Sequence, residues 1–406
     1  MLLALALSLA PLQSPADAHW NQSQAHPTGS GWVDVAAPRE APLELWSATF
    51  DVLETAPVVW DGIVFVVGER ERARLLVAID ARTGEELDAE RIGSLPALEL
   101  VASEGQVALV SPDKLSLYSL REGALRRQRS KRIEVSSPVC LDDGFLFFLS
   151  GSELRALEFA SLRNSGDPLP TPVVGEGRAS RPVFNASRHQ IAFVHVGELH
   201  IQHEELDLRY GNGVHLIYAN CSQNGRDRAL GNRWQFHGPA LEPSQVELPP
   251  VQLHWLQGQT QHEDVWMAGV HAPIETRDSG AMQWVRIESS LRIRGLPLVG
   301  NAVLLEGGLL AWNHEEELLW LDSQARSLSF LPEGARPARG RTGALSLARD
   351  VLLLGNWAVD TATREVLWCL PTVDPLGPLL PAADGLLVYR DERHVLHGLG
   401  APGEED

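Results

Sequence analysis

The densest collection of side chains able to bind a metal or stack a planar ligand runs from His254 to Trp284: His254, Trp255, His262, Glu263, Asp264, Trp266, His271 and Trp284. Imidazole nitrogens and carboxylate oxygens are the donors of transition-metal sites, and Trp255 with Trp266 could stack a ring. The spacing argues against a ligand set. His262-Glu263-Asp264 are consecutive, and consecutive residues of a strand point to opposite faces. The segment reads as partly buried strand aromatics with exposed loop histidines. His200 and His203, ahead of Glu204-Glu205, read the same way. The chain contains no G-x-S-x-G nucleophile elbow, no H-E-x-x-H, no G-x-G-x-x-G after a strand and no P-loop. The sequence therefore assigns no residue to catalysis, to a cofactor or to a metal.

Cysteine and charge bound the chemistry further. Cys140, Cys221 and Cys369 have no C-x-x-C spacing, so a metal cluster is not expected; Cys140 and Cys369 read as small buried hydrophobes, with one disulfide left open. A net charge of -19 repels phosphate backbones and anionic lipid, which excludes nucleic acid as an expected partner. One stretch runs against that balance: Arg126-Arg127-Gln128-Arg129-Ser130-Lys131-Arg132. It reads as a solvated outer strand neutralised by nearby acids, the alternative being a patch for an anion or an acidic partner.

The elements that must position all of this are strands. In Ala56 to Leu87, Asp61-Gly62 suits a tight hairpin between Val58-Val59 and Ile63–Val67, a charged loop Glu69 to Arg74 precedes a third strand Leu75–Ile79, and Asp80 to Gly84 turns into a fourth. Ser137-Pro138-Val139 with Asp143-Gly144, and Arg181-Pro182-Val183 with Ile191 to Val194, repeat the opening hairpin. Weaker copies lie at Pro96 to Ile133, Pro250 to Ile287, Pro297 to Leu331, Gly343 to Leu370 and Gly377 to Leu399. A sheet unit recurring about every 40 residues predicts an all-β fold, a β-propeller of four-stranded antiparallel blades, with eight blades expected and seven as the alternative.

The turn recurs in its own right. Ala78-Ile79-Asp80-Ala81-Arg82-Thr83-Gly84 is matched by Ala358-Val359-Asp360-Thr361-Ala362-Thr363-Arg364, followed by Trp368. This pattern resembles the repeat of the quinoprotein-type propellers, the pyrroloquinoline-quinone-like repeats, over most of the chain. In that family a Trp after the glycine docks on the neighbouring blade; Trp368 holds that place here, whereas the first copy has Asp88. The resemblance invites a quinone on the propeller axis with calcium beside it. The chain lacks the vicinal cysteine pair of the quinone-dependent alcohol dehydrogenases, so no cofactor is expected.

The organisation expected is a signal peptide over 1–18, an N-terminal segment and ring-closing strand over 19–55, the propeller over 56–400 and an acidic tail over 401–406. The apolar run Leu2 to Ala10 is too short to span a bilayer, and Ala16-Asp17-Ala18 suits cleavage after Ala18. A turn-rich insertion is expected around 209–245, from Gly211-Asn212-Gly213, Asn224-Gly225-Arg226 and Gly231-Asn232-Arg233-Trp234. Sequons at Asn21, Asn185 and Asn220 matter only in a eukaryotic source, and the repeats with a leucine-rich signal suggest a bacterial one. The functional expectation is a non-catalytic exported propeller, periplasmic or extracellular and monomeric, with no transmembrane anchor. It would bind a protein, peptide or glycan or serve as an assembly scaffold, as the propeller lipoproteins of outer-membrane protein assembly do. The alternatives are a quinone-dependent oxidoreductase or another enzyme with its active site in the funnel.

Overall fold

Runs such as Ile63–Val67 and Leu75–Ile79 are apolar at every position rather than at alternate ones, and the fold explains why. In a computed structural model, Val64, Val66, Val77 and Ile79 pack toward one neighbouring sheet, against Leu386, Val388 and Leu396. The residues between them, Phe65, Val67, Leu76 and Ala78, pack toward the other, against Leu100, Val107 and Leu109. A strand whose two faces are both buried needs apolar residues at both phases of its two-residue period. The same division recurs further on: Leu115 and Leu117 join Leu146, Phe148 and Leu157, while Leu353 and Ala358 join Leu387 and Tyr389.

The structure describes residues 32–401, less short segments of which the longest are 171–176, 238–247, 258–263, 272–281, 288–292, 322–326 and 332–343; between 169 and 302 the description is of strands and their pairing. All regular structure among the described residues is β. Among the described residues eight sheets with antiparallel four-stranded cores follow one another, in line with the eight blades expected rather than the alternative of seven. Blade 1 comprises Val58–Trp60 with Val52–Leu53, then Ile63–Arg70, Ala73–Asp80 and Glu86–Arg91. Blade 2 comprises Glu99–Ser103, Gln106–Ser111, Lys114–Arg121 and Ala124–Arg132. Blade 3 comprises Cys140–Asp142, Phe145–Ser150, Glu153–Glu158 and Leu169–Pro170. Blade 4 comprises Gly177–Ala179 and Val183–Asn185, then Gln190–His203, Leu206–Asn224 and Asp227–His237. Blade 5 runs from Leu248–Gln257 to Ile293–Leu296 and blade 6 from Leu298–Leu305 to Ser327–Ser329. Blade 7 comprises Leu345–Ala348, Val351–Leu354, Trp357–Asp360 and Val366–Cys369. Blade 8 comprises Leu380–Ala383, Leu386–Arg390 and Val395–Gly400, and its fourth strand, Leu43–Thr49, comes from the other end of the chain.

One local expectation is corrected. Glu69 to Arg74 is not a loop, because the strands continue to Arg70 and from Ala73 and turn on Glu71-Arg72 alone, both at positive φ (53° and 65°). Polar pairing makes this possible: Asp51 accepts the Glu71 N–H at 2.8 Å, and the Arg74 guanidinium grips both oxygens of Glu54. Of the stretch expected as a turn-rich insertion around 209–245, the described parts are strand, while 225–226 and 238–245 lie outside the described residues. Gly211-Asn212-Gly213 and Gly231-Asn232-Arg233-Trp234 lie within Leu206–Asn224 and Asp227–His237, and Asn224 pairs with Asp227. Both Gly/Asn stretches fall at register shifts, between Gly197 and Leu199 and between Ala219 and Cys221, so the ladders take them up as irregularities rather than as turns.

Ring closure rests on Trp46 of the strand Leu43–Thr49. Its indole lies where a side chain on Gly398 of its own blade, or on Gly84 of blade 1, would overlap it. Its Nε1 donates to the Ala81 carbonyl at 2.9 Å. Gly84 ends the Asp80 turn with φ +71°, where Asp80 Oδ1 accepts the N–H groups of Arg82 (2.9 Å) and Thr83 (2.8 Å). Asp80 and Gly84 thus shape a turn that receives an indole from the last blade.

A strap ahead of the closing strand ties blades 7 and 8. Trp32–Val33 pairs in parallel with Leu347-Ala348 on the innermost strand of blade 7. Asp384 then accepts the Ala36 N–H at 2.8 Å, and Trp368 Nε1 donates to the Pro38 carbonyl at 2.8 Å. Arg39 bridges Asp350 and Asp360. The N–H of Thr363 first, and then the Arg39 guanidinium, holds the Asp360 carboxyl at about 2 against an ordinary 3.8.

Two predictions follow from closure. Trp46→Ala should destabilise the protein by about 3–5 kcal/mol in urea denaturation. Gly398→Ala should cost about 1–3 kcal/mol by overpacking, and much less in a Trp46→Ala background, because the atoms it would strike are then gone. For Asp360 the depressed pKa means that its contribution is complete above about 4 and lost as pH falls toward about 2. Asp360→Asn should therefore melt below the wild type at pH 7, with a gap that narrows across that acid window; a pH-independent gap would refute the assignment.

Candidate functional site

The basic stretch 126–132 is the outermost strand of blade 2. Ala124–Arg132 pairs with Lys114–Arg121 alone among the described strands, and 126–130 are exposed in sequence. A bulge at Leu117/Tyr118 resets the register, so Lys131 pairs with Leu115 and Arg129 with Leu117, which belong to the core shared with blade 3. Directly paired residues lie on the same face. Arg129 and Lys131 therefore face blade 3, where the turn after Glu153–Glu158 presents Ser161 to Asn164.

Between strand and turn lies an open groove of about 510 Å³ lined by Arg129, Ser130, Lys131, Ser161, Arg163 and Asn164. Its floor is braced internally. Lys131 Nζ donates to the Leu162 carbonyl at 3.0 Å and to Asn164 Oδ1 at 2.6 Å. Burial, and after it the Arg155 guanidinium, lowers the Lys131 pKa. Leu162 takes a positive φ of 51°, which turns its carbonyl and the Arg163 side chain about the groove. Among the described residues, Arg127, Arg129, Arg132 and Arg163 make no ion pair, so the acids expected to neutralise the strip are represented by Asp88 alone, 3.8 Å from Arg126.

Asp88 shows what this strand does with a carboxylate. It stands where the repeat pattern would put a docking Trp, on the outer strand of blade 1, and its Oδ2 accepts the Leu125 N–H at 2.6 Å. A hydrogen bond to an ionised group replaces the aromatic contact at this seam. Trp368 keeps the aromatic contact at the seam between blades 7 and 8, and Trp46 at the seam between blades 8 and 1.

A second polar cluster lies at the closing seam. His397 is held between Glu44 Oε2 (3.0 Å) and Asp391 Oδ2 (3.5 Å) and stacks on Tyr389 with ring centres 4.5 Å apart. Burial chiefly, then the Glu44 and Asp391 carboxylates, pushes the Tyr389 phenol up to about 12. Glu44 is on the closing strand and His397 on its partner, so this cluster pins the same joint as Trp46.

His254, Trp255, Trp266, His271 and Trp284 lie on the strands of blade 5. Trp255 and Trp266 are direct register partners, His254 pairs with Met267, Leu248 with His271, and Gly269 with Trp284. Asp264 opens a strand, whereas His262 and Glu263 lie outside the described residues. His200 pairs with Arg209 and His203 with Leu206 near the tip of the longest hairpin of blade 4. Sequence reasoning passed over Trp46, although Leu45-Trp46 repeats Leu367-Trp368. It passed over His195 and His215, which are register partners. Cys140 is buried as expected, whereas Cys369 is exposed at the end of an outer strand, a correction to its expected burial. Among the described residues no three His, Cys, Asp or Glu side chains gather as a ligand set, and the innermost strands Leu345–Ala348 and Leu380–Ala383 are almost wholly buried in core.

No family description matches the sequence, and no curated protein matches it. Solved structures do. BamB from Moraxella catarrhalis superposes with a TM-score of 0.53 at 9% identity, covering 88% of this chain and 99% of that one. A europium-containing methanol dehydrogenase gives 0.52 at 8% identity, covering 93% and 88%. The computationally designed protein Ika8 gives 0.52 at 9%, covering 88% and 99%. The chain thus has the β-propeller architecture of BamB and methanol dehydrogenase. No helix among the described residues is long and apolar enough to cross a membrane.

The Asp88 seam yields a test. Asp88→Ala should cost about 1 kcal/mol of stability, since its bond is charged but partly solvated. It should also speed hydrogen exchange at the Leu125 amide selectively; unchanged protection there would remove Asp88 from the seam.

Proposed function

We propose that this protein is an exported binding scaffold that presents one enlarged blade and a charged rim to a protein, peptide or glycan partner. The observation that carries this reading is blade 4. Its strands Gln190–His203, Leu206–Asn224 and Asp227–His237 have 14, 19 and 11 residues, where those of blade 7 have four each. Past the level of Gly197 and Gly213 the first pair continues through a register shift to His203 and Leu206. The second pair continues past Ala219 to Asn224 and Asp227. Successive turns of an antiparallel meander lie at opposite ends of the strands, so blade 4 overhangs both faces of the ring. Extra strand length beyond what the ring needs is costly in backbone order and supplies recognition surface.

Export is supported by the apolar run Leu2 to Ala10 with Ala16-Asp17-Ala18, which lies outside the described residues. Closure of the ring within one chain suits a monomer. The scaffold reading accords with the repeat pattern shared with propeller lipoproteins of outer-membrane protein assembly.

Gly197 and Gly213 are register partners, so replacing Glu198–Asn212 by Asn-Gly leaves a two-residue hairpin that the ring can accept. Affinity capture with the full chain from the exported fraction should recover a defined partner, cross-linked to the blade 4 hairpins and lost with the shortened variant. Equal recovery by both forms would sink the reading. Stoichiometric co-elution of pyrroloquinoline quinone and calcium would favour the oxidoreductase instead.

A further inference from the structure

We infer that the outer strand of blade 2 is a docking edge for an acidic extended peptide segment, which adds alongside Ala124–Arg132 with its carboxylates on Arg129, Lys131 and Arg163. The inference rests on the scaffold reading and names the partner chemistry of one surface. Three observations converge on it. First, the strand is an edge. It has one neighbour among the described strands, and an edge presents a row of outward N–H and C=O groups to any extended chain that reaches it. Second, the edge already takes a carboxylate. Asp88 Oδ2 accepts the Leu125 N–H at 2.6 Å and stands 3.8 Å from Arg126, so backbone amide and guanidinium together hold an acid at the start of the strand. Third, the same pairing of cation and edge continues unanswered for the rest of its length. Arg127, Arg129 and Arg132 make no ion pair among the described residues, and Arg163 joins Arg129 across the groove of about 510 Å³.

The geometry selects an extended segment over a small anion. From Arg126 to Arg132 the cations span about 20 Å of strand, far more than one phosphate or sulfate covers. Alternation sends Arg129 and Lys131 to the blade 3 side, while Arg127 pairs with Tyr118, which belongs to the core shared with blade 1. A peptide strand has the matching period and could set its acids toward the groove at every second residue. A sulfated glycan would meet the charges but not the ladder. Lys131 is already braced on Leu162 and Asn164, so it supplies a fixed positive charge with little ordering cost on binding.

The test uses the purified full chain and a fluorescein-labelled decapeptide, Glu-Thr repeated five times, read by anisotropy. Binding should weaken as salt is raised and should fall at least about tenfold in the double variant Arg129→Glu, Arg163→Glu. Arg129→Gln with Arg163→Gln should show a smaller loss with an unchanged melting temperature, which separates lost docking from misfolding. Two peptides N-methylated on alternate amides should differ, one binding and one not, since only one set of amides faces the edge. Equal affinity of the two methylated peptides, or full binding by the charge-reversed variant, would overturn the inference. A heparin fragment of the same charge that binds as tightly as the peptide would also overturn it and make the strip a glycan surface. Because this assay needs neither the blade 4 hairpins nor a cellular partner, its failure leaves capture through those hairpins standing, and the reverse holds too.

Discussion

A ring of sheets is stable only if its last blade meets its first, and here one indole completes the apolar seam in which Val64, Val66 and Ile79 meet Leu386, Val388 and Leu396. Trp46 fills the space over Gly398 and Gly84 and donates to Ala81, so a strand from residues 43–49 is locked simultaneously into blade 8 and onto blade 1. Without that joint, Val395–Gly400 would become an open edge with exposed N–H and C=O groups, and one face of blade 1 would lose its neighbour. The polar contacts nearby serve the same end. His397 between Glu44 and Asp391, Arg390 donating to the Thr55 carbonyl, and the strap through Ala36, Pro38 and Arg39 all cross from the N-terminal segment to the last two blades or from blade 8 to blade 1.

Closure explains why the residues most reminiscent of a cofactor family are architectural. Asp80 and Asp360 spend their carboxylates on the N–H groups of their own turns, and Asp360 also on Arg39. The aromatic docking position is filled by Trp at two seams and by Asp88 at a third, with the contact passing from dispersion to a charged hydrogen bond. The two solutions are of comparable strength at a partly exposed seam, about 1 kcal/mol each beyond simple burial. A seam between blades can therefore be held by either kind of contact.

What was legible in the sequence divides along the same line. The Asp80 turn was legible because its cause is local: a carboxylate, two amides and a residue at positive φ within five positions. The outer placement of 126–132 was legible from charge alone, since a strand with one buried residue in nine has nowhere else to go. Trp46 was not, because its partners Gly84 and Gly398 are meaningful only once the ring is closed. The long ladders of blade 4 were not legible for a related reason: Gly-Asn pairs favour turns in isolation, but here they fall at register shifts that long paired strands absorb as bulges. The groove depends on a contact between Lys131 and Asn164 that no spacing rule anticipates.

The net charge of -19 and the basic strip look contradictory until distance is considered. At physiological salt the Debye length is about 8 Å, so an exposed arginine feels the charges of its own neighbourhood and little of the remaining surface. The overall acidity keeps long polyanions away from the molecule as a whole, while Arg129 and Arg163 act within a groove where acids are sparse. A strip of this kind does not attract generically. It selects for a ligand whose negative charge is modest in total, arranged at the strand period and backed by a backbone able to satisfy the edge, and those are properties of a peptide segment.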